Sequence, residues 1–303
     1  MVRLDARRKG NVMILVVGAS GQLGGTIAQM LLDRERPVRI LVRPGSADSE
    51  PVADGAEAVI GDLKDPASLV SACQGVHAVI TTANATARGG DDTIESVDRV
   101  GNRNLVDAAT AAGVDRFVFV SALGASPDHP MELLRAKGET EQHLRDSAMA
   151  WTVLQPNMFL DKLPMAVVGA PALAGQPVTL VGEARRVHSM VAMRDAAAYA
   201  VAALDRSDAD GQTLVIGGPQ PVSWRDIVAA FAQELGRDIP VRTVPPEQPV
   251  PGMPDFLAGL LAALETYDSP VDSSALATAY GIKPTTLAHF VHDAVAASRQ
   301  HVG

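Results

Sequence analysis

Cysteine is almost absent from this sequence: Cys73 is the only one among 303 residues. A lone cysteine excludes an internal disulfide and suits a reducing compartment, so the cytoplasm is expected. Cys73 falls in a helical stretch and reads as packed rather than reactive. No apolar run approaches the roughly 20 residues that a membrane-crossing helix needs. The N-terminus lacks a basic segment followed by an apolar stretch and a small-residue cleavage site, so no secretory signal is expected. Basic residues are outnumbered: 26 Lys and Arg face 35 Asp and Glu, a net charge of −9. This balance argues against nucleic acid as a main partner, because a phosphate backbone calls for a basic face. Repeats, low-complexity segments and a metal-ligand pattern are also missing. Tyrosine is scarce as well: Tyr199, Tyr267 and Tyr280 are the only three, all in the C-terminal half.

What is present points to a nucleotide. Residues 12–17 are apolar and read as a buried parallel strand. Gly18, Gly21 and Gly24 follow as G-x-x-G-x-x-G, and the next stretch, 26–32, has helical spacing without a breaker. Strand, glycine turn and helix together set a pyrophosphate on a helix N-terminus, where free N–H groups and the helix dipole favour an anion. The loop therefore nominates Gly18, Ser20, Gly21, Gln22, Leu23 and Gly24 as cofactor contacts.

Strand-like runs recur over 38–42, 56–60, 78–81, 117–120 and 152–154, with helical stretches between most of them, including 66–73, 91–112 and 131–146. This alternation predicts a doubly wound parallel α/β sheet covered on both faces. Gly75 and Gly113 sit where helices should stop. Beyond Pro156 the texture changes, with prolines and glycines crowding 164–182 and 240–254. The expected organisation is a loose basic tail over 1–10, a nucleotide-binding domain over 11–156, and a smaller α-rich lobe over 157–303. Segments 188–216, with a helix after Asp195 and a strand over 213–216, return to the first domain. Helices are expected over 223–235, 255–263 and 285–297, with Ser223 and Thr285 as N-caps.

The second strand ends in Arg43, where an acidic residue would have favoured a ribose diol. Its guanidinium fork suits a 2′-phosphate, with Ser46 adding a hydroxyl, so NADP(H) is expected ahead of NAD(H). Small residues at the end of the fourth strand, Thr81, Thr82 and Ala83, let the backbone approach a cofactor, and Asn84 follows. Ser121 closes the fifth strand, the end at which open α/β sheets bind ligands.

The stretches VVGASGQLGG, LVRPGS, GDLKDPASL, FVFVSALGA, TVLQPNMFLDKL, VAMRDAAAYAV, IGGPQPVSWRDIVAAFAQELGRDIPV and GIKPTTLAHFV occur in this order. Over residues 12–291 the chain resembles the NmrA-like group of atypical short-chain dehydrogenase/reductases. The resemblance implies a Rossmann fold and a substrate cleft roofed by the C-terminal lobe. It implies adenine contacts from Asp62 and Leu63, and cofactor contacts from Pro156, Asn157 and Lys137. Substrate contacts would come from Asn84, Met158, Phe159 and His188, and catalytic roles fall to Ser121 and Lys137. Such enzymes carry Tyr-x-x-x-Lys, but the position four before Lys137 is Leu133. The usual alcohol–ketone acid/base is therefore missing.

Bland alternatives stand beside these roles: Asp62 as a turn residue, Lys137 as a surface lysine paired with Glu141, and His188 and Phe159 as core. For the molecule, an NADPH-dependent reductase of small conjugated substrates such as quinones or enones leads. A hydride-accepting quinone delocalises its charge and depends less on an acid. A non-catalytic NADP(H) sensor with a protein partner, and a nucleotide-sugar epimerase, are the alternatives. A homodimer remains open.

Overall fold

The computed structural model of the protein describes residues 12–44, 55–85, 90–250 and 252–300; the basic tail 1–10 and Ser46 lie outside them. Compact units divide the chain in two: residues up to Pro156 with Ala196–Leu214, and Asn157–Asp195 with the chain from Val215 onward.

The first unit is built on β1 (Met13–Val17), α1 (Gln22–Leu32), β2 (Val38–Val42), β3 (Glu57–Ile60), α2 (Pro66–Cys73) and β4 (Val76–Thr81). It continues through a π-helical turn (Ile94–Gly101), α3 (Asn102–Ala111), β5 (Arg116–Val120), α4 (Glu132–Arg145) and β6 (Ala150–Pro156). The chain then leaves for the second unit, where a short α5 (Ala170–Leu173) and β7 (Val178–Val181) lie, before α6 (Met193–Ala203) and β8 (Gln212–Ile216), which closes the edge of the main sheet. The seven-stranded sheet has the order β3-β2-β1-β4-β5-β6-β8. Its pairings from β3 to β6 are parallel, with Val17 opposite Leu41 on one side and Thr81 on the other. The order reverses at β1, so the C-terminal ends of β1 and β4 flank the topological switch point where such sheets bind ligands. Ile14, Leu15 and Val16 are wholly buried, as a strand covered by helices on both faces requires.

The expected helix over 91–112 is not continuous, because its first half is π-helical. Asn102 causes this locally: its amide donates to the carbonyls of Ala83, Val97 and Asp98 and accepts from Thr81 Oγ1. A side chain inserted among helix carbonyls opens the turn.

The second unit has its own core around Leu160, Val168, Val178, Leu180, Trp224, Ile227, Phe231 and Val291. It holds β7 paired in parallel with β9 (Val241–Val244), α7 (Trp224–Leu235), α8 (Asp255–Leu264), α9 (Ser274–Tyr280) and α10 (Leu287–Gln300). The β7–β9 pair and α9 escape the sequence reading, since they are short and bordered by proline and glycine. Ser223 caps α7 as expected, in a reciprocal box with Asp226. Thr285 does not cap α10. Its N–H and hydroxyl both go to the buried Asp195 carboxylate, and Thr286 Oγ1 accepts from His289 N instead.

Candidate functional site

Glycine dictates the path between β1 and α1. Gly18 has φ +88°, and a Cβ there would lie 2.7 Å from Thr82 Oγ1. A Cβ on Gly24 would lie 2.2 Å from the Gly18 carbonyl oxygen, to which Gly21 N donates at 3.0 Å. The loop is thus pressed against the β4 end and α1 alike, with Ser20, Gly21 and Gln22 at its exposed tip and Leu23 and Gly24 buried. Gly21 begins α1 without a side-chain cap, whereas Asp65 caps α2. The first-turn N–H groups of α1 are left to an anion by their own helix.

Beside this loop Val17, Gly18, Ser20, Leu41, Arg43, Asp62 and Leu63 line one small groove. Five of these seven are residues that the sequence nominates for a dinucleotide. Arg43 Nη1 donates to Asp92 Oδ2 at 3.2 Å. Asp62 Oδ1 accepts from Lys64 N at 2.8 Å, which stiffens the turn after β3. At the end of β4, Thr82 N donates to the Val17 carbonyl and Ala83 N to Thr81 Oγ1. Asn84 folds its amide onto the Thr82 carbonyl.

Ser121, at the C-terminal end of β5, and Lys137, on α4, are the pair for which the resemblance implies catalytic roles. Ser121 is 5% exposed, and its buried hydroxyl has no hydrogen-bond partner among the described residues. A buried hydroxyl without a protein partner at a strand end is open to a ligand atom or an ordered water. Lys137 is not on the surface: its ammonium donates to the Val120 carbonyl at 3.2 Å and sits 5.2 Å from the centre of the Phe119 ring. Burial pushes its pKa down, against the opposing pull of Asp98 and Glu141. Glu141 makes its hydrogen bonds with Arg145 and Gln155 rather than with Lys137. Gly138 lets α4 pack against the segment that follows β5, since a Cβ there would lie 2.2 Å from the Ser126 carbonyl carbon. Pro156, buried at the end of β6, accepts from Leu123 N.

The remaining nominated residues belong to the second unit. Asn157 Nδ2 donates to the Ser269 carbonyl at 2.8 Å, and its Oδ1 accepts from Met158 N. His188 is wholly buried, with Nδ1 2.7 Å from Ser269 Oγ. Burial holds its pKa below the ordinary value, with the Leu264 backbone and Asp268 opposing. His188 therefore steadies the Ser269–Asn157 contact from within. Met158 and Phe159 are half-buried, and Phe159 bridges to Val191. A separate cavity of about 750 Å³, walled by Pro219, Pro221, Val271, Ile282 and Pro284 among others, includes none of the nominated residues.

Sequence reasoning passed over Asp92, Asp98 and Asn102. Nothing in the local pattern marks them, because their partners lie on other elements. Asp98 accepts from Ala85 N at 2.8 Å, and together with Asn102 it shapes the β4 end.

The pattern described as NAD(P)H-binding matches residues 18–207. An NAD(P)H azoreductase from Xenophilus azovorans is 33% identical over 264 residues, spanning 85% of this chain and 88% of the relative. A (4-alkanoyl-5-oxo-2,5-dihydrofuran-3-yl)methyl phosphate reductase from Streptomyces griseus is 34% identical over 230 residues, 75% of each chain. Among solved structures, an NADPH-dependent quinone oxidoreductase from Escherichia coli in complex with NADPH superposes with TM-score 0.76 at 25% identity, covering 93% of this chain and 99% of that one.

Proposed function

This chain belongs to the NAD(P)H-binding family, and from that premise we propose that it is an NADPH-dependent reductase of small conjugated acceptors such as quinones, enones and azo compounds, within the NmrA-like branch of the atypical short-chain dehydrogenase/reductases. The carrying observation is the combination at the β5 end: an orphaned Ser121 hydroxyl and a buried Lys137 cation, with leucine where the proton-donating tyrosine would stand. The azoreductase and quinone oxidoreductase relatives support it.

The residues fit the cofactor. Cβ atoms at Gly18 and Gly24 would strike Thr82 and the Gly18 carbonyl, so glycine there keeps the loop in the tight form that turns backbone N–H groups toward a pyrophosphate. Arg43 offers its guanidinium to the 2′-phosphate, and Asp62 accepts from the adenine amine. When bound, NADPH supplies a hydride. Ser121 donates a hydrogen bond toward the negative charge that develops on the acceptor, and Lys137 adds positive potential in a dry, low-dielectric setting. A quinone spreads that charge over a conjugated system, so a site without a strong general acid still turns over. The single cysteine, buried and free, suits a reducing compartment and supports a cytoplasmic location.

The test is NADPH oxidation by the purified protein across a panel of quinones, enones and azo dyes, with reduced product identified by mass. Turnover of at least one class is expected; no oxidation above background across the panel overturns the reading. Arg43→Ala should weaken NADPH binding by about tenfold or more while leaving NADH within about twofold, measured by calorimetry. Equal losses would refute the 2′-phosphate role.

A further inference from the structure

Two cations and one carboxylate meet beside the groove that contains Arg43. Arg43 Nη1 donates to Asp92 Oδ2 at 3.2 Å, and Lys64 Nζ donates to Asp92 Oδ1 at 2.6 Å. The Asp92 side chain is 5% exposed, against 35% for Arg43 and 36% for Lys64. The carboxylate thus lies beneath two basic side chains that keep part of their surface toward solvent. Asp62, in the same groove, has Oδ2 3.8 Å from Lys64 Nζ.

We propose that Lys64 is a second ligand of the cofactor's 2′-phosphate, and that Asp92 is the positioning residue that holds Lys64 and Arg43 side by side to receive it. The inference rests on the NADP reading above and assigns the phosphate a second cation. A guanidinium carries five donors and an ammonium three, more than one carboxylate accepts, so anchoring to Asp92 is compatible with serving a second anion. Long basic side chains lose rotamer freedom when a ligand immobilises them; a shared buried anchor removes that loss before binding. The hydrogen bond to Asp92 also raises the Lys64 pKa, keeping the ammonium charged across physiological pH. Arg43 comes from the end of β2 and Lys64 from the turn after β3, so the pair closes over the outer edge of the adenine side. A phosphate dianion gains from two converging cations, whereas the neutral 2′-hydroxyl of NADH gains little. The clamp therefore acts on selectivity.

Calorimetry on the full chain with NADPH, NADH, adenosine 2′,5′-bisphosphate and 5′-AMP tests this. Lys64→Gln is expected to weaken NADPH and the bisphosphate about tenfold, the size of one charge-assisted hydrogen bond, and to leave NADH and 5′-AMP within about twofold. Asp92→Asn should weaken the same two ligands by about threefold, through loosened cations. Retained NADH affinity shows that each variant is folded. Loss of all four ligands alike, or of none, for Lys64→Gln overturns the second-ligand assignment. Tighter NADPH binding by Asp92→Asn makes the carboxylate a competitor and overturns its positioning role. If Arg43→Ala is selective for NADPH while Lys64→Gln is not, only this proposal fails. If neither variant is selective, the NADP reading fails with it.

Discussion

Lys137 shows how one residue changes meaning between sequence and structure. Its helix spacing to Glu141 suggests a solvent ion pair, yet the ammonium is enclosed against Val120 and Phe119. Burial lowers its pKa from the ordinary 10.5, against the opposing pull of Asp98 and Glu141, so the folded state holds this proton less tightly than the unfolded chain does. Between the lowered value and 10.5 the unfolded chain binds more protons, and stability rises with pH through that window. Catalytic help runs the other way, since it needs the charged form and fades as pH climbs through the lowered pKa. Lys137→Met should lose about 10²-fold in kcat, keep or raise Tm by removing a buried charge, and erase the alkaline limb of the pH–rate profile. A variant that kept wild-type kcat and pH profile would exclude the electrostatic role. Cys73 illustrates the opposite case: its burial pushes the thiol up to about 11, in line with the packed, unreactive residue that the sequence suggests.

At the scale of elements, the β1–loop–α1 unit was legible almost in full, because its glycines are local necessities. The spacing predicted where close approach is required, and Gly18 and Gly24 are where a Cβ collides with backbone or the β4 end. Gly24→Ala therefore faces carbonyl backbone that cannot swing aside as a side chain would. The expected outcome is a destabilisation of about 1–3 kcal/mol by chemical denaturation, with loss of measurable NADPH binding by calorimetry; unchanged affinity would contradict the loop geometry. The segment following β4 was legible only as helix. Its π-helical half depends on Asn102 reaching Ala83 and Thr81, a contact made by folding rather than by neighbouring residues. Short β7 and β9 escaped for another reason: Pro177 and Gly182 bound the one and Pro240 and Pro245 the other, so each reads as part of a proline- and glycine-rich stretch.

Across the whole molecule, the groove lined by Gly18, Arg43 and Asp62, where the nucleotide is proposed to bind, lies in the first unit. A ligand that binds only folded protein stabilises by mass action, about 2.7 kcal/mol at a hundred times its Kd. NADPH should therefore raise the thermal transition that includes β1 to β6, and hydrogen exchange should slow at the β1–α1 loop and the β4 end. Absence of both effects at saturating NADPH would rule out a site there. Among the described residues no helix is long and apolar enough to cross a membrane.

Local chemistry in the sequence was enough to determine the strand–glycine–helix start, the alternation that makes a parallel sheet, the cofactor class, and the missing tyrosine before Lys137. Each depends on residues close together in the chain, where sterics and hydrogen bonding act over a few positions. Tertiary structure alone decided that Lys137 is buried, that Ser121 has no hydrogen-bond partner among the described residues, that His188 turns inward to Ser269, and that Asp92 gathers Arg43 and Lys64. Those outcomes depend on which distant elements are brought together and on the solvent they exclude. Burial and charge pairing are properties of the packed chain, and no sequence window contains them.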